Sequence, residues 1–295
     1  LLEMKNTSTT RRTRDILTAP ELIEAFIESR RQGLSPRTLD FYRGYLRRAI
    51  NIIGLGVNAQ DIRLFLAGLP CSMGGRHAYF RTLRAFYNWL YSPKSGSGLN
   101  PSDNPILAVD APKVPQPLLP APIQHEVDYA IGQAPSIKLK TIISLAFDSG
   151  IRLNELAQLK AGDINWTDNT ITVWGKGNKQ RRAAFSPRTA QLLIEFLSQN
   201  GTKGANANIW GLRARGIQSS LERLSKRTGV ACNCHSLRRA FASNLHRAGL
   251  DVEHIMRLGG WESLVMVLRY TKSVKFEDSL EHYRRVTEGT QILMR

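Results

Sequence analysis

A chain of 295 residues with 42% hydrophobic side chains holds enough apolar material for two ordinary domains, each with its own core. No apolar run approaches the ~20 residues that span a bilayer, no charged-then-apolar signal segment opens the sequence, and three cysteines make no disulfide framework. The expectation is an intracellular, cytoplasmic protein without a membrane partner. Its net charge of +17, from 41 Lys and Arg against 24 Asp and Glu, favours a polyanionic partner, nucleic acid first. The excess is spread out: residues 18–91 carry ten basic and five acidic side chains, and residues 118–295 carry 25 and 15. A chain basic in both halves suits a clamp that touches a duplex from two sides.

Residues 1–17 are polar, with Lys5, Arg11, Arg12 and Arg14, and read as a flexible basic lead-in without a packing signal. Residues 18–91 read as a helical domain. Pro20 opens a helix with Leu22, Ile23, Phe26 and Ile27 at helical spacing. Ser35-Pro36 opens a second, with Leu39, Tyr42, Leu46 and Ile50 on one face and Arg37, Arg43, Arg47 and Arg48 elsewhere. A short third helix is expected over 61–69. In a fourth, over 75–91, Tyr79, Leu83, Phe86 and Leu90 face inward, leaving Arg76, Arg81 and Arg84 off the stripe. Arginines repeated beside the apolar faces of two helices are candidates for phosphate contact. Residues 92–117 are proline-rich, and proline removes donors and fixes φ, so this stretch is expected to be a semi-extended linker.

Residues 118–295 read as a mixed α+β domain. Helices are expected over 140–149 and 154–159. Strands over 170–174 and 180–185 are joined by Gly175-Lys176-Gly177-Asn178-Lys179, a run of hairpin-turn residues. Helices follow over 187–198, 213–228, 236–248, 251–257 and 276–287. The fold expected is mainly α with one small β-hairpin or sheet.

Cutting a phosphodiester demands cationic donors around the phosphate, a proton for the leaving oxygen, and a nucleophile. Metal ions or side chains can supply these. The sequence has no H-E-x-x-H, no paired C-x-x-C and no D-x-D cluster, and Cys232-Asn233-Cys234-His235 lacks a second ligand pair, so no metal and no other cofactor is expected. The phosphate-loop pattern G-x-x-x-x-G-K-[ST] is also absent. Side chains are well supplied in four segments: Gly150-Ile151-Arg152-Leu153-Asn154-Glu155, the Lys176 hairpin, His235-Ser236-Leu237-Arg238, and Gly260-Trp261 running to Tyr270.

These segments resemble the tyrosine recombinase, or phage integrase, family. That family carries G-x-R-x-x-E, a hairpin lysine, H-x-x-R and G-[HW] in this order, with the tyrosine nine residues after the last motif, as Tyr270 follows Trp261 here. The resemblance spans about residues 18–287. It implies a helical core-binding domain ahead of a catalytic domain, and a site-specific recombinase that cuts and rejoins DNA through a 3′-phosphotyrosine without ATP or metal. By the same resemblance Arg152 and Arg238 bind the scissile phosphate and Glu155 orients Arg152. Lys176 protonates the leaving 5′-oxygen, with Lys179 its rival. His235 accepts the tyrosine proton or hydrogen-bonds the phosphate. Trp261 packs the site and donates its indole N–H. Tyr270 is the nucleophile, while Tyr283, on the stripe Phe276, Leu280, Tyr283, Val286, reads as packing. The implied partners are double-stranded recombination sites, and the implied assembly is a homotetramer on DNA joined through the tail, residues 273–295. The implied setting is a prokaryotic nucleoid, with the gene carried by a phage or mobile element.

Ser236 and Arg239 stand where the family often has an acidic residue and a histidine, and Ala183-Ala184-Phe185 replaces Val-Pro-Leu. None of these removes a catalytic group. Two other readings stay open on sequence: a relaxing type IB topoisomerase with the same site, and a noncatalytic DNA-binding protein on the same fold.

Overall fold

The computed structural model describes residues 18–115, 119–175, 180–201, 204–271, 274 and 276–293, with backbone only for 288–293. The lead-in 1–17 and the hairpin lysines Lys176 and Lys179 lie outside the described residues. The chain divides into two compact units between 116 and 117.

The first unit holds helices α1 (Ala19–Ser29), α2 (Pro36–Ile53), α3 (Ala59–Gly68) and α4 (Met73–Leu90). Their starts are set by polar side chains that satisfy first-turn N–H groups. Ser35 Oγ accepts from Thr38 N at 3.3 Å, and Asn58 Oδ1 accepts from Gln60 N and Asp61 N at 2.8 and 3.0 Å. Phe26 is the hub of the core, with Tyr42, Phe86 and Trp89 around it at ring-centroid distances of 5.6 Å.

The expected linker begins later than its prolines suggested. Pro93, Pro101 and Pro105 each open a single 3-10 turn, and the turns fold back on the helices. Ile106 and Val109 are buried in the same core as Phe26, Arg63 donates to the Ala108 carbonyl at 3.0 Å, and Asn104 Nδ2 donates to Asn88 Oδ1 at 2.9 Å. Proline forbids a long helix here, but it pre-sets φ for short turns, and two apolar side chains suffice to fasten them.

The second unit is built on α6 (Ile137–Ser149), which buries nearly its whole length, including Ile142, Ile143, Leu145 and Ala146. Around it pack α5 (Gln124–Gln133), α8 (Pro187–Asn200), α9 (Ala214–Thr228) and α10 (Cys234–Arg247). The short α7 (Leu153–Gln158) leads to an antiparallel sheet ordered β1 (Ile164–Asn165), β2 (Thr170–Trp174), β3 (Gln180–Ala184). Ile171 pairs with Ala183 and Val173 with Arg181. A satellite core of Phe241, Ala242, Ile255, Trp261 and Val267 joins α10 to α11 (Val252–Gly259) and α12 (Leu264–Thr271). The last helix, α13, spans Phe276–Leu293.

Three elements were not foreseen. β1 is only two residues long, α5 has a weak stripe, and α12 begins with five consecutive apolar residues, which show no helical period. The stripe on α13 also differs from its reading as packing: Phe276, Tyr283 and Val286 are 74, 65 and 53% exposed. Among the described residues no helix is long and apolar enough to cross a membrane, and no cluster of three metal-ligating side chains occurs.

Candidate active site

Residues from four distant segments meet at the C-terminal end of α11. A helix leaves its last carbonyls without intrahelical partners and carries a partial negative charge there. Each of the last three carbonyls of this helix and its cap takes a different arginine. Arg181 Nη1 donates to Leu258 O at 3.2 Å, Arg238 Nη2 to Gly259 O at 2.7 Å, and Arg152 Nη2 to Gly260 O at 3.1 Å.

The glycines are needed for this convergence. Gly260 caps the helix at φ +63°, in the left-handed region, and a Cβ there would lie 2.4 Å from Arg181 Cδ. A Cβ on Gly259 would meet the Trp261 ring at 2.0 Å.

Arg152 occupies the N-cap position of α7, and Glu155 answers it one turn later. The carboxylate is buried, with its side chain 3% exposed, and each oxygen holds a different cation. Oε1 accepts from Arg152 Nη1 at 2.7 Å; Oε2 accepts from Arg181 Nη2 at 2.8 Å and from the Arg152 backbone N–H at 3.0 Å. Burial alone would raise the Glu155 pKa, but Arg181 and the Arg152 contacts outweigh it and hold the carboxyl below its ordinary range. Glu155 thus bonds a second arginine besides Arg152.

Arg152 and Arg238 differ in presentation. The Arg152 side chain is 45% exposed, whereas Arg238 is 4% exposed. Arg238 donates to the Gly150 and Gly259 carbonyls, and its Cζ lies 4.0 Å from the Trp261 ring centroid. Two of its five N–H donors are then committed to carbonyls, which leaves others for an anion. Burial, with the neighbouring Arg152 and Arg181 cations, lowers the Arg238 pKa to about 9, so it stays charged at neutral pH.

Trp261 is 5% exposed, between Phe241 at 6.1 Å and Tyr270 at 5.6 Å between ring centroids. Tyr270 is half-buried on α12. Burial lowers the pKa of Arg239 as well as Arg238, and the neighbouring Tyr270 acts on both in the opposite sense, which places the phenol in the field of two guanidinium groups. His235 is exposed on the first turn of α10, one turn before Arg238; Asn233 Oδ1 caps that helix through Ser236 N at 2.8 Å. Cys232 and Cys234 are buried thiols, pushed up to about 11 and about 12 chiefly by desolvation, as fits inert packing groups.

In the first unit the candidate DNA-contact arginines divide. Arg37 and Arg81 are exposed. Arg43 and Arg47 pair with Glu24 at 3.0 and 3.1 Å, Arg76 donates to the Leu69 carbonyl at 3.1 Å, and Arg84 lies over Phe80 at 5.4 Å.

Residues 122–276, more than half of the chain, match the model of the phage integrase family. The chain belongs to this family. A tyrosine recombinase XerA of Thermococcus kodakarensis is 28% identical over 89% of this chain and 92% of its own length. A tyrosine recombinase XerC of Oceanobacillus iheyensis is 27% identical over 86% and 92%. In fold, the chain is similar to a lambda integrase (75–356) dimer bound to a COC′ core site, with a TM-score of 0.71 at 16% identity over 88% of this chain and 98% of that one. It is also similar to the XerH recombinase in a post-cleavage complex with palindromic difH, with a TM-score of 0.66 at 19% identity over 94% and 85%. The expected family and the mainly helical fold with one small sheet are borne out, and the chain is a DNA-cleaving and rejoining enzyme of the tyrosine recombinase type.

The Glu155 cluster has a pH signature. Its folded pKa lies below its unfolded value of about 4.5, so its stabilisation is complete above that pH and is lost as pH falls through the depressed folded value. Glu155→Gln is expected to cost ~3–5 kcal/mol at neutral pH, by leaving two cations without their carboxylate. Urea midpoints of both proteins across pH 3–7 should show a constant gap above about pH 5 that narrows under acid. A gap independent of pH would contradict the assignment.

Proposed function

We propose that this chain is a site-specific recombinase in which Tyr270 attacks a scissile DNA phosphate. The Tyr270 Oη–P bond forms as the P–O5′ bond breaks, which leaves a 3′-phosphotyrosine and a free 5′-hydroxyl. His235 takes the phenolic proton or bonds the phosphate, and Lys176 gives a proton to the departing 5′-oxygen. Arg152, the more exposed guanidinium, receives the nonbridging oxygens, and Arg238 joins it with the N–H donors not committed to Gly150 and Gly259. Trp261 braces both Tyr270 and Arg238. Reversal by the 5′-hydroxyl of another strand completes the exchange through a Holliday junction, and the ester preserves the bond energy, so ATP is not required.

The observation that carries this reading is the meeting of Arg152, Arg238, Trp261 and Tyr270, spread over 119 positions of sequence, at one helix end. A noncatalytic binder has no need of a tyrosine inside a cationic pocket.

In this reading the first unit is the core-binding domain and residues 118–295 are the catalytic domain. The first unit meets DNA through arginines on α2 and α4, with Arg43 and Arg47 leaving Glu24 for phosphate. The exposed α13 stripe docks on a neighbouring subunit in a tetramer on DNA. This tail favours recombination over single-duplex relaxation by a topoisomerase. Since the curated relatives reported above are Xer-named recombinases, a chromosomal Xer-type role suits the chain at least as well as a phage or mobile-element origin.

A duplex nicked beside its cleavage point and incubated with the protein in EDTA is expected to trap a covalent 3′-adduct. The adduct should vanish in Tyr270→Phe. An adduct that persists in that variant, or a reaction abolished by EDTA, would overturn the mechanism. Deletion of residues 276–295, which removes the stripe, should weaken assembly of paired sites at least tenfold more than binding to one site, as read by gel shift; equal losses would refute docking between subunits.

A further inference from the structure

We propose that Arg181 is a positioning residue for DNA cleavage: it fixes the Glu155 carboxylate, and through it the guanidinium of Arg152, against the end of α11. The inference rests on the reading of Arg152 as a phosphate ligand.

Arg181 lies on β3, where side chains alternate between faces. It shares the inward face with Ala183, which is buried, whereas Arg182 beside it is 62% exposed. The Arg181 side chain is only 16% exposed. An inward arginine on a short edge strand is costly to desolvate, and burial lowers its pKa despite Glu155. Its Nε is buried without a hydrogen-bond partner. A cation needed only for charge balance or solubility would sit where Arg182 does.

What the position gains is a two-ended tie. Nη2 reaches Glu155 Oε2 at 2.8 Å, and Nη1 reaches the Leu258 carbonyl at 3.2 Å. The planar guanidinium spans a carboxylate on α7 and a carbonyl on α11 at once, which a lysine ammonium on the same strand cannot do with fixed geometry. Without Arg181, the Glu155 carboxylate keeps Arg152 alone as its partner, through the backbone N–H on Oε2 and Nη1 on Oε1, and loses its tie through Arg181 to the end of α11. Arg152 then loses the fixed acceptor that aims its Nη1. Gly260 closes the arrangement, because any larger residue would displace the Arg181 stem.

The test is single-turnover adduct formation by the full chain on a nicked duplex, with Arg181→Met and Arg181→Lys. Arg181→Met is expected to slow cleavage ~10–100-fold, the usual effect of a displaced catalytic group, while site binding by gel shift changes less than ~3-fold. Arg181→Lys, which keeps charge and length, should recover only a minor part and serves if Arg181→Met folds poorly. The decisive comparison replaces the scissile phosphate with a methylphosphonate. That removes one anionic oxygen, so the alignment of Arg152 matters less, and the loss in each variant should shrink to within a few fold of the unmodified chain. An equal loss on both substrates would make Arg181 merely structural and overturn the proposal. A loss cured by a 5′-bridging sulfur, which leaves without a proton, would place its action on the leaving group and also overturn it. Cleavage by the variants at the unmodified rate would do the same. If the unmodified chain forms no Tyr270 adduct, the reading of the site fails instead.

Discussion

The carbonyl end of one eight-residue helix gathers three arginines of this protein. Leu258, Gly259 and Gly260 each offer a backbone oxygen to a different guanidinium, delivered from β3, α10 and the start of α7. Carbonyls left over at a helix end suit this task, because they are strong acceptors, lie at the negative end of the macrodipole and are held rigidly by the turn behind them. Three cations so close together repel one another. The helix end and one buried carboxylate, Glu155, offset that repulsion and leave a net positive pocket. A phosphodiester approaching its transition state needs such a preset field, since donors already in place require no reorganisation as charge develops.

The same few residues also place Tyr270. The chain turns at Gly260 into Trp261, whose ring has Arg238 on one side and Tyr270 as a neighbour. The satellite core around Phe241, Ile255 and Val267 fastens α10, α11 and α12 to each other. Arginine, tryptophan and tyrosine are therefore set by one local packing unit, and a shift of α11 would move all of them together. A phenol is a weak nucleophile at neutral pH, so a phenol put to that use depends on the groups set around it.

Much of this was legible in the sequence, for identifiable reasons. Helices with a strong apolar stripe, such as α2 and α4, announce themselves by spacing. The motifs that name Arg152, Glu155, Arg238, Trp261 and Tyr270 are short and ordered along the chain. What stayed hidden depends on contacts between distant residues. Arg181 sits between Gln180 and Arg182 with no local mark, and its partners come from positions 155 and 258; only the alternation that pairs it with inward Ala183 hinted at its face. The apolar run at the start of α12 has no period to read. Ile106 and Val109 looked like linker because two buried residues among prolines make no pattern, yet they fasten the turns of 93–109 to the first unit. The stripe on α13 was seen as one face, but its spacing could not say that Phe276, Tyr283 and Val286 would be mostly exposed on this chain.

The α11 terminus holds the three arginines as a set. This can be tested by nitrogen-15 NMR of the arginine side chains in the full-length chain and in Gly260→Ala. Guanidinium groups fixed by two acceptors rotate slowly and give separate signals for their two terminal nitrogens. Such signals are expected for Arg152, Arg181 and Arg238 in the unaltered chain, with their joint collapse in Gly260→Ala. If the substitution disturbs Arg181 alone and leaves the other two signals in place, the three arginines are anchored independently and the helix end does not hold them as a set.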